Sequence, residues 1–252
     1  MQFKDNKIIF SSPLEGAVPP PKPSSHFIPE VFKKFKTAEY PNDTVKACMP
    51  FLDSLTSGYI IPLPVSIKAT SWIQDGKSKS FKININERLN GTSTNNLLSM
   101  IGISDHPPRQ IPESMVNDNA FVKHTFKLHN PWTIKTPPGY SCIFTQPLNR
   151  NSPWKIIDGI VDTDSYDGRI NFPFYWMKHL EVEESFNVDA GVPMVQVIPF
   201  KRESWKMEIQ AEYEEKKRTA NVLTDQLKWL KLNGLRFKDW YKLKHWKKKS
   251  YK

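Results

Sequence analysis

The chain has 252 residues, a net charge of +10 and a sequence pI of about 9.4, and 38% of its residues are hydrophobic. Such a chain is long enough for one sizeable packed domain with appendages, and its charge favours an anionic partner. Two isolated cysteines, Cys48 and Cys142, exclude a disulfide framework and a cysteine-rich zinc site. Without an apolar N-terminal signal or any run near the ~18 residues of a membrane helix, the sequence predicts a protein of a reducing cytoplasm with no membrane attachment.

The first 45 residues are predicted to form an extended arm. Lys7–Phe10 is a short apolar run typical of a strand, and Val18–Pro23 is rich in proline, which favours an extended polyproline-like conformation. Apolar side chains at helical spacing then predict a short helix within residues 29–40. Such an arm serves as a linker or lies on a neighbouring subunit.

Residues 46–202 are predicted to form a β domain, because short apolar runs alternate there with turn residues. The first strand is predicted over Ile61–Ile67, where every second residue is aliphatic and the prolines between them confine the strand to a sheet edge or to a ladder with gaps. Asp75-Gly76, between two apolar runs, predicts a hairpin. A polar insertion with little regular structure follows at about residues 88–120, and short strands return from Phe121 to Phe200.

Residues 203–252 differ in character from the β domain. Trp205–Leu232 lacks proline and glycine and carries leucines at helical spacing, which predicts one or two helices that end at Gly234. The remaining tail interleaves lysines with aromatic side chains. The residues expected to bind a partner there are Trp240, Tyr241, Trp246, Lys247, Lys248 and Lys249.

Three explanations of this basic aromatic tail, residues 236–252, remain open. In the first, the tail grips nucleic acid, with lysines on phosphates and aromatic rings stacked on bases. In the second, it docks on an acidic protein surface, burying its aromatic face while the lysines stay in water. In the third, the tail is only a solvated basic segment.

Three segments in a fixed order carry a resemblance to a known family. They are Thr136-Pro-Pro-Gly139, Gly159-Ile-Val-Asp-Thr-Asp-Ser-Tyr166 and Gly191-Val-Pro-Met-Val-Gln196. Together they resemble the dUTPase and dCTP deaminase superfamily over roughly residues 55–200. The resemblance implies a mainly β fold, the β-clip barrel or sandwich, here with an extended N-terminal arm and a C-terminal α-helical extension. It also implies a homo-oligomer, usually a trimer, with nucleotide sites between subunits.

The resemblance implies roles for individual residues. Asp162 corresponds to the general base that activates water, with Asp164 as a second acidic candidate, and Tyr166 corresponds to the platform for the deoxyribose ring. The implied phosphate contacts are Arg150, Ser152 and Gln196. The turns of the family motifs are at Gly139 and Gly191. Mg²⁺ is the cofactor that a catalytic member would use.

Several family features are changed in this chain. Ile60 occupies the position of an acidic residue in the first motif, and the compact Arg-Ser-Gly of the second motif is replaced by Arg150-Asn-Ser152. One extra residue separates Asp162 from Gly168, and the basic aromatic tail stands in place of the flexible C-terminal motif. These changes favour a fold that is kept without its chemistry.

The sequence therefore predicts a non-catalytic scaffold or ligand binder, such as a phage structural, assembly or accessory protein. Its lysine, asparagine and isoleucine bias and its tail resemble phage and bacterial proteins, which predicts the host cytoplasm or, for a viral protein, the virion. The alternative is a nucleotide-processing enzyme, a dNTP pyrophosphatase or deaminase, with Asp162 as general base. The sequence has no glycine-rich phosphate loop, which excludes P-loop and Rossmann enzymes.

The histidines are not predicted to bind a metal. His124 and His129 flank a strand candidate at a five-residue spacing, which places them on opposite faces and argues against shared ligation. A cupin-like iron site that also uses Asp105 and His106 is the alternative interpretation.

Overall fold

A computed structural model describes residues 7–39, 42–74, 78–85, 101–209, 212–233 and 240–252. With 31% strand and 23% helix, it confirms the predicted mainly β class. Contacts within the chain define two compact units. The β unit comprises Met1–Ile28, Leu55–Arg202 and Tyr251, and the helical unit comprises Pro29–Ser54, Glu203–Ser250 and Lys252.

The strands, in chain order, are β1 (Ile9–Ser11), β2 (Lys22–Pro23), β3 (Ala38–Glu39), β4 (Asn42–Asp43), β5 (Tyr59–Pro62), β6 (Ile67–Gln74), β7 (Ser78–Ile85), β8 (Ile103–Asp105), β9 (Thr125–Leu128), β10 (Thr133–Lys135), β11 (Tyr140–Thr145), β12 (Trp154–Ile156), β13 (Gly159–Val161), β14 (Phe172–Trp176), β15 (Ser185–Val188) and β16 (Pro193–Lys201). The α-helices are α1 (Glu30–Lys34), α2 (Met49–Thr56) and α3 (Glu212–Asn233). Shorter helical turns are at Ser24–Phe27, Val45–Ala47, Glu113–Met115 and Tyr241–His245.

The β unit contains three larger antiparallel sheets. Their strand orders are β13-β11-β16-β5-β2, β12-β14-β9-β8 and β15-β6-β7, and β1 pairs separately with β10. In the described part of the unit each of these sheets keeps two open edges, so none of them closes into a barrel. All three sheets contribute side chains to one apolar core, whose largest buried members are Trp154, Trp176, Phe172 and Phe174.

The hairpin of β6 and β7 follows from the alternating sequence around Asp75-Gly76. The two strands pair residue by residue along their whole length, from Ile67↔Ile85 to Gln74↔Ser78. Alternate residues of β6 are buried and those between them are partly exposed, as a half-buried strand requires. The predicted hairpin is confirmed, and the turn residues themselves lie outside the described ranges.

The predicted continuous strand over Ile61–Ile67 is wrong. β5 ends at Pro62 and β6 begins at Ile67, because prolines at positions 62 and 64 cannot donate ladder hydrogen bonds. Between the two strands the Leu63 N–H donates to the Val192 carbonyl at 2.8 Å, and the Leu63 side chain is fully buried. The aliphatic residues alternate there because their side chains are buried in the core, although the segment is not one continuous strand.

Helix α2 and strand β15 are among the elements of the fold that were not predicted. Helix α2 carries Pro50 at its second position, where a helix tolerates proline because the missing N–H has no intrahelical partner. Strand β15 is only four residues long, has two apolar residues and pairs with β6 at the edge of its sheet. In the polar insertion the described residues form β8 and one 3₁₀ turn, and residues 86–100 lie outside the description.

The helix predicted from Trp205 begins instead at Glu212. Trp205, Met207 and Ile209 alternate with polar residues, a period that favours extended backbone over helix, and these three side chains are 84–87% exposed. The predicted helix end at Gly234 lies outside the described residues. Within the described ranges, no helix combines the length and the hydropathy needed to cross a membrane.

Candidate functional site

The family-like segments meet because β11 pairs with two strands at once. It pairs with β13 in the register Cys142↔Val161 and with β16 in the register Tyr140↔Lys201. The turn before β11, the turn after β13 and the residue after β16 therefore lie at the same end of one sheet. These positions are occupied by Gly139, Asp162, Asp164 and Arg202.

Arg202 and Asp164 form a bidentate ion pair at this end of the sheet. The Arg202 Nη1 donates to Asp164 Oδ1 at 2.9 Å, and Nη2 donates to Oδ2. The Gly139 N–H also donates to Oδ2, at 2.8 Å. The Asp164 side chain is only 10% exposed, and the Arg202 guanidinium, followed by the Gly139 N–H, holds the pKa of that carboxyl well below its usual range. Through these hydrogen bonds the Asp164 carboxylate links the turn after β13 to the turn before β11 and to Arg202 after β16.

Asp162 is the more accessible carboxylate, since its side chain is 62% exposed. Its Oδ1 accepts a hydrogen bond from Ser141 Oγ at 2.7 Å and lies 3.3 Å from Arg202 Nη1. The same Nη1 donates to Ser141 Oγ at 3.0 Å. Two carboxylates, a hydroxyl and a guanidinium therefore share one polar patch, the Asp162 cluster (Ser141, Asp162, Asp164 and Arg202). Such a patch can bind a polar group or accept a proton at Asp162.

The depressed pKa of Asp164 predicts a contribution to stability that acid removes. Its folded pKa lies below the value of about 3.9 for an unperturbed aspartate, so the unfolded state binds more protons as the pH falls. The contribution is complete above the unfolded pKa and is lost as the pH falls through the folded one. We expect Asp164→Asn to melt at a lower temperature than the wild type at neutral pH, with a difference that shrinks below about pH 4.

Thermal melts of wild type and variant from about pH 3 to pH 7 measure this linkage. Asp167→Asn is the matched control, because Asp167 pairs with Lys135 at 2.5 Å but its side chain is 84% exposed. Exposed ion pairs contribute little to stability, so the control should melt close to the wild type throughout. A difference for Asp164→Asn that stays constant across the pH range would contradict the linkage.

Tyr166 lies on the turn after Asp162 and folds over its own segment. Its N–H donates to the Asp162 carbonyl at 3.0 Å, and its Oη donates to the Arg169 carbonyl at 3.4 Å. A Cβ on Gly168 would lie 2.4 Å from that Oη, so the ring covers this glycine. The ring is half-exposed, and in the described structure no hydrogen bond joins it to the Asp162 carboxylate.

Arg150 lies apart from the Asp162 cluster, and its guanidinium faces backbone. Its Nε donates to the Phe27 carbonyl at 3.2 Å, and its Nη2 donates to the carbonyls of Ser24 and Leu55 at 3.2 and 2.7 Å. In the described structure Nη1 is buried without a hydrogen-bond partner. Burial lowers the pKa of Arg150 to about 10. The side chain therefore joins the N-terminal arm to the end of α2.

Gln196, also implied as a phosphate contact, is fully buried in β16. Its Oε1 accepts from the Leu148 N–H at 2.8 Å, and its Nε2 donates to the Ser57 carbonyl at 2.7 Å. Ser152 Oγ accepts from the Trp154 N–H at 3.4 Å, which closes the turn into β12. The Gly191 N–H donates to the Leu63 carbonyl at 2.9 Å. The contacts of these residues are thus with backbone.

The donor set does not fit the Mg²⁺ that a catalytic family member would use. Mg²⁺ takes carboxylate oxygens and waters in a near-octahedral shell, but the position of the first-motif acid is Ile60, which is fully buried. Both Asp164 oxygens already accept hydrogen bonds from Arg202 and Gly139. Among the described residues no three acidic, histidine or cysteine side chains group to hold a metal ion. We assign no role to a metal at this cluster.

Cys142, a further potential nucleophile, follows Ser141 of the cluster on strand β11. Its side chain is fully buried, and the Thr163 hydroxyl donates to its Sγ at 3.3 Å. Burial raises the pKa of the thiol to about 11. Since the thiolate is the reactive form, Cys142 is not equipped for nucleophilic catalysis.

Several aromatic residues of the basic aromatic tail make contacts inside the helical unit. The Trp246 Nε1 donates to Asp53 Oδ1 at 3.1 Å, and Lys249 Nζ pairs with the other oxygen of that carboxylate. Trp240 packs edge-on against Trp229, with ring centroids 5.2 Å apart. The remaining residues predicted to bind a partner are exposed, namely Tyr241, Lys247 and Lys248.

Sequence reasoning did not find Arg202, although this residue makes more contacts in the Asp162 cluster than any other. Its partner Asp164 is 38 positions away, and only the register of β11 with β16 brings the two together. No local motif surrounds Arg202 in the sequence.

No protein-family model and no curated protein sequence matches the chain. A functional assignment therefore depends on the geometry described above and on the family-like segments.

Proposed function

We propose that the chain is a divergent dUTPase-like β-clip protein that acts as a non-catalytic scaffold or ligand binder. The observation that carries the proposal is the hydrogen bonding of Arg150 and Gln196, the residues implied to hold phosphates. Nε and Nη2 of Arg150 and both polar side-chain atoms of Gln196 bond to backbone groups of the β unit. Fold-stabilising roles have replaced ligand contacts at these positions.

A phosphate-binding arginine presents its planar fork to the ligand. In this chain Nε and Nη2 of Arg150 donate to three backbone carbonyls, at Ser24, Phe27 and Leu55. Turning the fork toward a phosphate would leave these carbonyls without their donor, and an unpaired buried polar group costs about 1–3 kcal/mol. Binding a nucleotide through Arg150 would therefore require a rearrangement of the arm.

The Gln196 side-chain amide also bonds to backbone groups. It is fully buried between the Leu148 N–H and the Ser57 carbonyl, so both its acceptor and its donor are in use. Gln196 thereby links two segments, the loop that contains Arg150 and the turn before β5. A phosphate could reach this amide only if the loop moved away.

The second candidate function is a nucleotide hydrolase or deaminase with Asp162 as general base. The observation that favours it is the 62% exposure of the Asp162 side chain, together with its contacts to Ser141 and Arg202. A water molecule has access to this carboxylate. The scaffold is preferred because Arg150 and Gln196, the residues implied to hold a triphosphate, bond to backbone groups instead.

The proposal includes assembly. We propose that the β-clip forms a homotrimer and serves as a structural or assembly component of a phage, in the host cytoplasm or the virion. The exposed Tyr241, Lys247 and Lys248 supply a basic surface for an acidic protein or for nucleic acid.

Nucleotide-linked melting tests the proposal. A ligand that binds the folded state raises the melting temperature in proportion to the logarithm of its excess over Kd. We expect deoxyuridine, deoxycytidine and thymidine triphosphates to leave the melting temperature of the wild type unchanged, with and without Mg²⁺, because Arg150 and Gln196 bond to backbone groups. An Mg²⁺-dependent increase that Asp162→Asn removes would support the enzyme and overturn the scaffold.

A further inference from the structure

The segment that links β16 to α3 exposes large apolar side chains to water. This linking segment, residues 203–209, forms no helix, turn or bend. Every second residue from Trp205 to Ile209 is apolar, and Trp205, Met207 and Ile209 are 84–87% exposed. Within the described residues, no hydrogen bond or ion pair involves residues 204–209. Three large apolar side chains grouped and exposed in this way indicate an interaction surface.

Helix α3, which follows the linking segment, adds to this apolar surface. Leu223, Leu227 and Leu230 lie on one face of the helix, because they are four and three positions apart. Leu230 is buried, whereas Leu223 and Leu227 are about half-exposed. The uncovered part of this leucine face is therefore the part nearer to the linking segment along the chain.

The linking segment is complementary to a second copy of itself in the antiparallel direction. If Met207 of each copy lies on a two-fold axis, Trp205 faces Ile209 of the second copy, and Lys206 faces Glu208 of the second copy. Residues directly opposite in an antiparallel pair lie on the same face, about 4.5–5.5 Å apart. One face of the pair would thus hold two ion pairs and the other only apolar side chains. A parallel pairing in register would instead bring like charges together.

We propose that two copies of the chain associate through their linking segments, which form a two-stranded antiparallel ribbon about a two-fold axis. Such an axis brings the same surface of both copies together. A two-stranded ribbon alone is at best marginally stable in water, so its apolar face has to be covered. The half-exposed Leu223 and Leu227 of the α3 helices supply that cover.

The area of this surface supports a stable pair of copies. An exposed tryptophan such as Trp205 offers roughly 150–250 Å². Met207, Ile209 and the two leucines add roughly 60–120 Å² each, at about 25 cal/mol per Å². Together with the backbone of the ribbon, these side chains approach the roughly 800 Å² that each partner buries in a standard interface.

This pairing goes beyond the proposed function and does not depend on it. Copies that are otherwise monomeric would form a dimer through their linking segments. Copies that already form the proposed trimer would instead join two trimers into a hexamer. The mass lost when the linking segments separate therefore distinguishes the two proposals.

Charge reversal tests the pairing by analytical ultracentrifugation of the full chain. Lys206→Glu alone places two pairs of like charges in the ribbon, and so does Glu208→Lys alone. We expect each variant to associate roughly tenfold more weakly or worse. At concentrations just above the wild-type Kd, each should sediment with about half the wild-type mass. Mixing the two variants in equal amounts restores opposite charges at both positions, so the wild-type mass should return.

Lys34→Glu and Glu113→Lys are the matched controls. Both residues are exposed, lie outside the linking segment and α3, and undergo the same changes of charge. Their masses should equal that of the wild type, alone and mixed. Far-ultraviolet circular dichroism confirms that each variant keeps its fold.

Three results would overturn the pairing. They are a wild-type mass that neither Lys206→Glu nor Glu208→Lys lowers, a mixture of these two variants that stays at the lower mass, and an equal loss of mass in the controls. A hexamer that falls to a trimer would support the pairing and the proposed trimer together. A dimer that falls to a monomer would support the pairing and contradict the trimer.

Discussion

Replacing Arg150 with alanine is expected to lower the free energy of unfolding by about 3–5 kcal/mol, as loss of a buried charged hydrogen-bonding group does. The substitution removes the donors of three backbone carbonyls, at Ser24, Phe27 and Leu55. It also leaves a space where the guanidinium was buried. The N-terminal arm would then lose its polar link to the end of α2.

Urea unfolding followed by fluorescence measures this loss. Arg109→Ala is the control, because Arg109 is exposed on the turn before Glu113–Met115, and its replacement should change stability by less than about 0.5 kcal/mol. Arg150→Lys keeps the charge but lacks the fork, so it should recover only part of the loss. If Arg150→Ala is as stable as Arg109→Ala, the guanidinium is not structural, and its availability for a ligand has to be reconsidered.

Replacing Gly58 with alanine is expected to destabilise the fold far more than the same replacement at Gly16. A Cβ at Gly58 would lie 2.0 Å from the Val197 carbonyl oxygen and 2.9 Å from its carbon, both backbone atoms of β16. The residue also has φ of +67°, which costs a non-glycine residue roughly 1–2 kcal/mol. Since β16 is a central strand, relief of the clash would separate it from β5, and we expect a loss of about 4 kcal/mol or more.

Gly16→Ala separates the clash from the backbone strain. Gly16 has φ of +83°, but nothing lies within 4 Å of its Cβ position, so only the strain applies. We expect this control to fold and to lose roughly 1–2 kcal/mol. The yield of folded protein and the urea midpoint give the comparison. Equal losses at the two positions would show that β16 does not pack against Gly58 as described.

The parts of the fold that the sequence predicts are those decided by local periodicity. The β6–β7 hairpin is one, because alternating apolar residues and Asp75-Gly76 act within a few positions of each other. The helix predicted from Trp205 fails for the opposite reason. Absence of proline and glycine permits a helix, but Trp205, Met207 and Ile209 alternate with polar residues at a period that does not favour one, and the segment forms no helix.

The candidate site was predictable only where the family-like segments carried it. These segments named Gly139, Asp162 and Asp164 as site residues, and the register of β11 with β13 brings the turns that carry them to one end of the sheet. The contacts of Arg150 were not predictable, since its acceptors lie 95–126 positions away and are backbone atoms that leave no residue-type signal. A motif identified the residue, but only its three-dimensional contacts distinguish a ligand-binding arginine from a structural one.

The central claim is that the fold is kept without nucleotide chemistry. Its most direct test is turnover of deoxynucleoside triphosphates with the protein in excess and Mg²⁺ present, for the wild type and Asp162→Asn. Excess protein makes even one slow catalytic cycle visible as product. The account predicts no product above the buffer control for either protein. Conversion of any one nucleotide by the wild type, abolished in Asp162→Asn, would contradict it and establish Asp162 as a catalytic base.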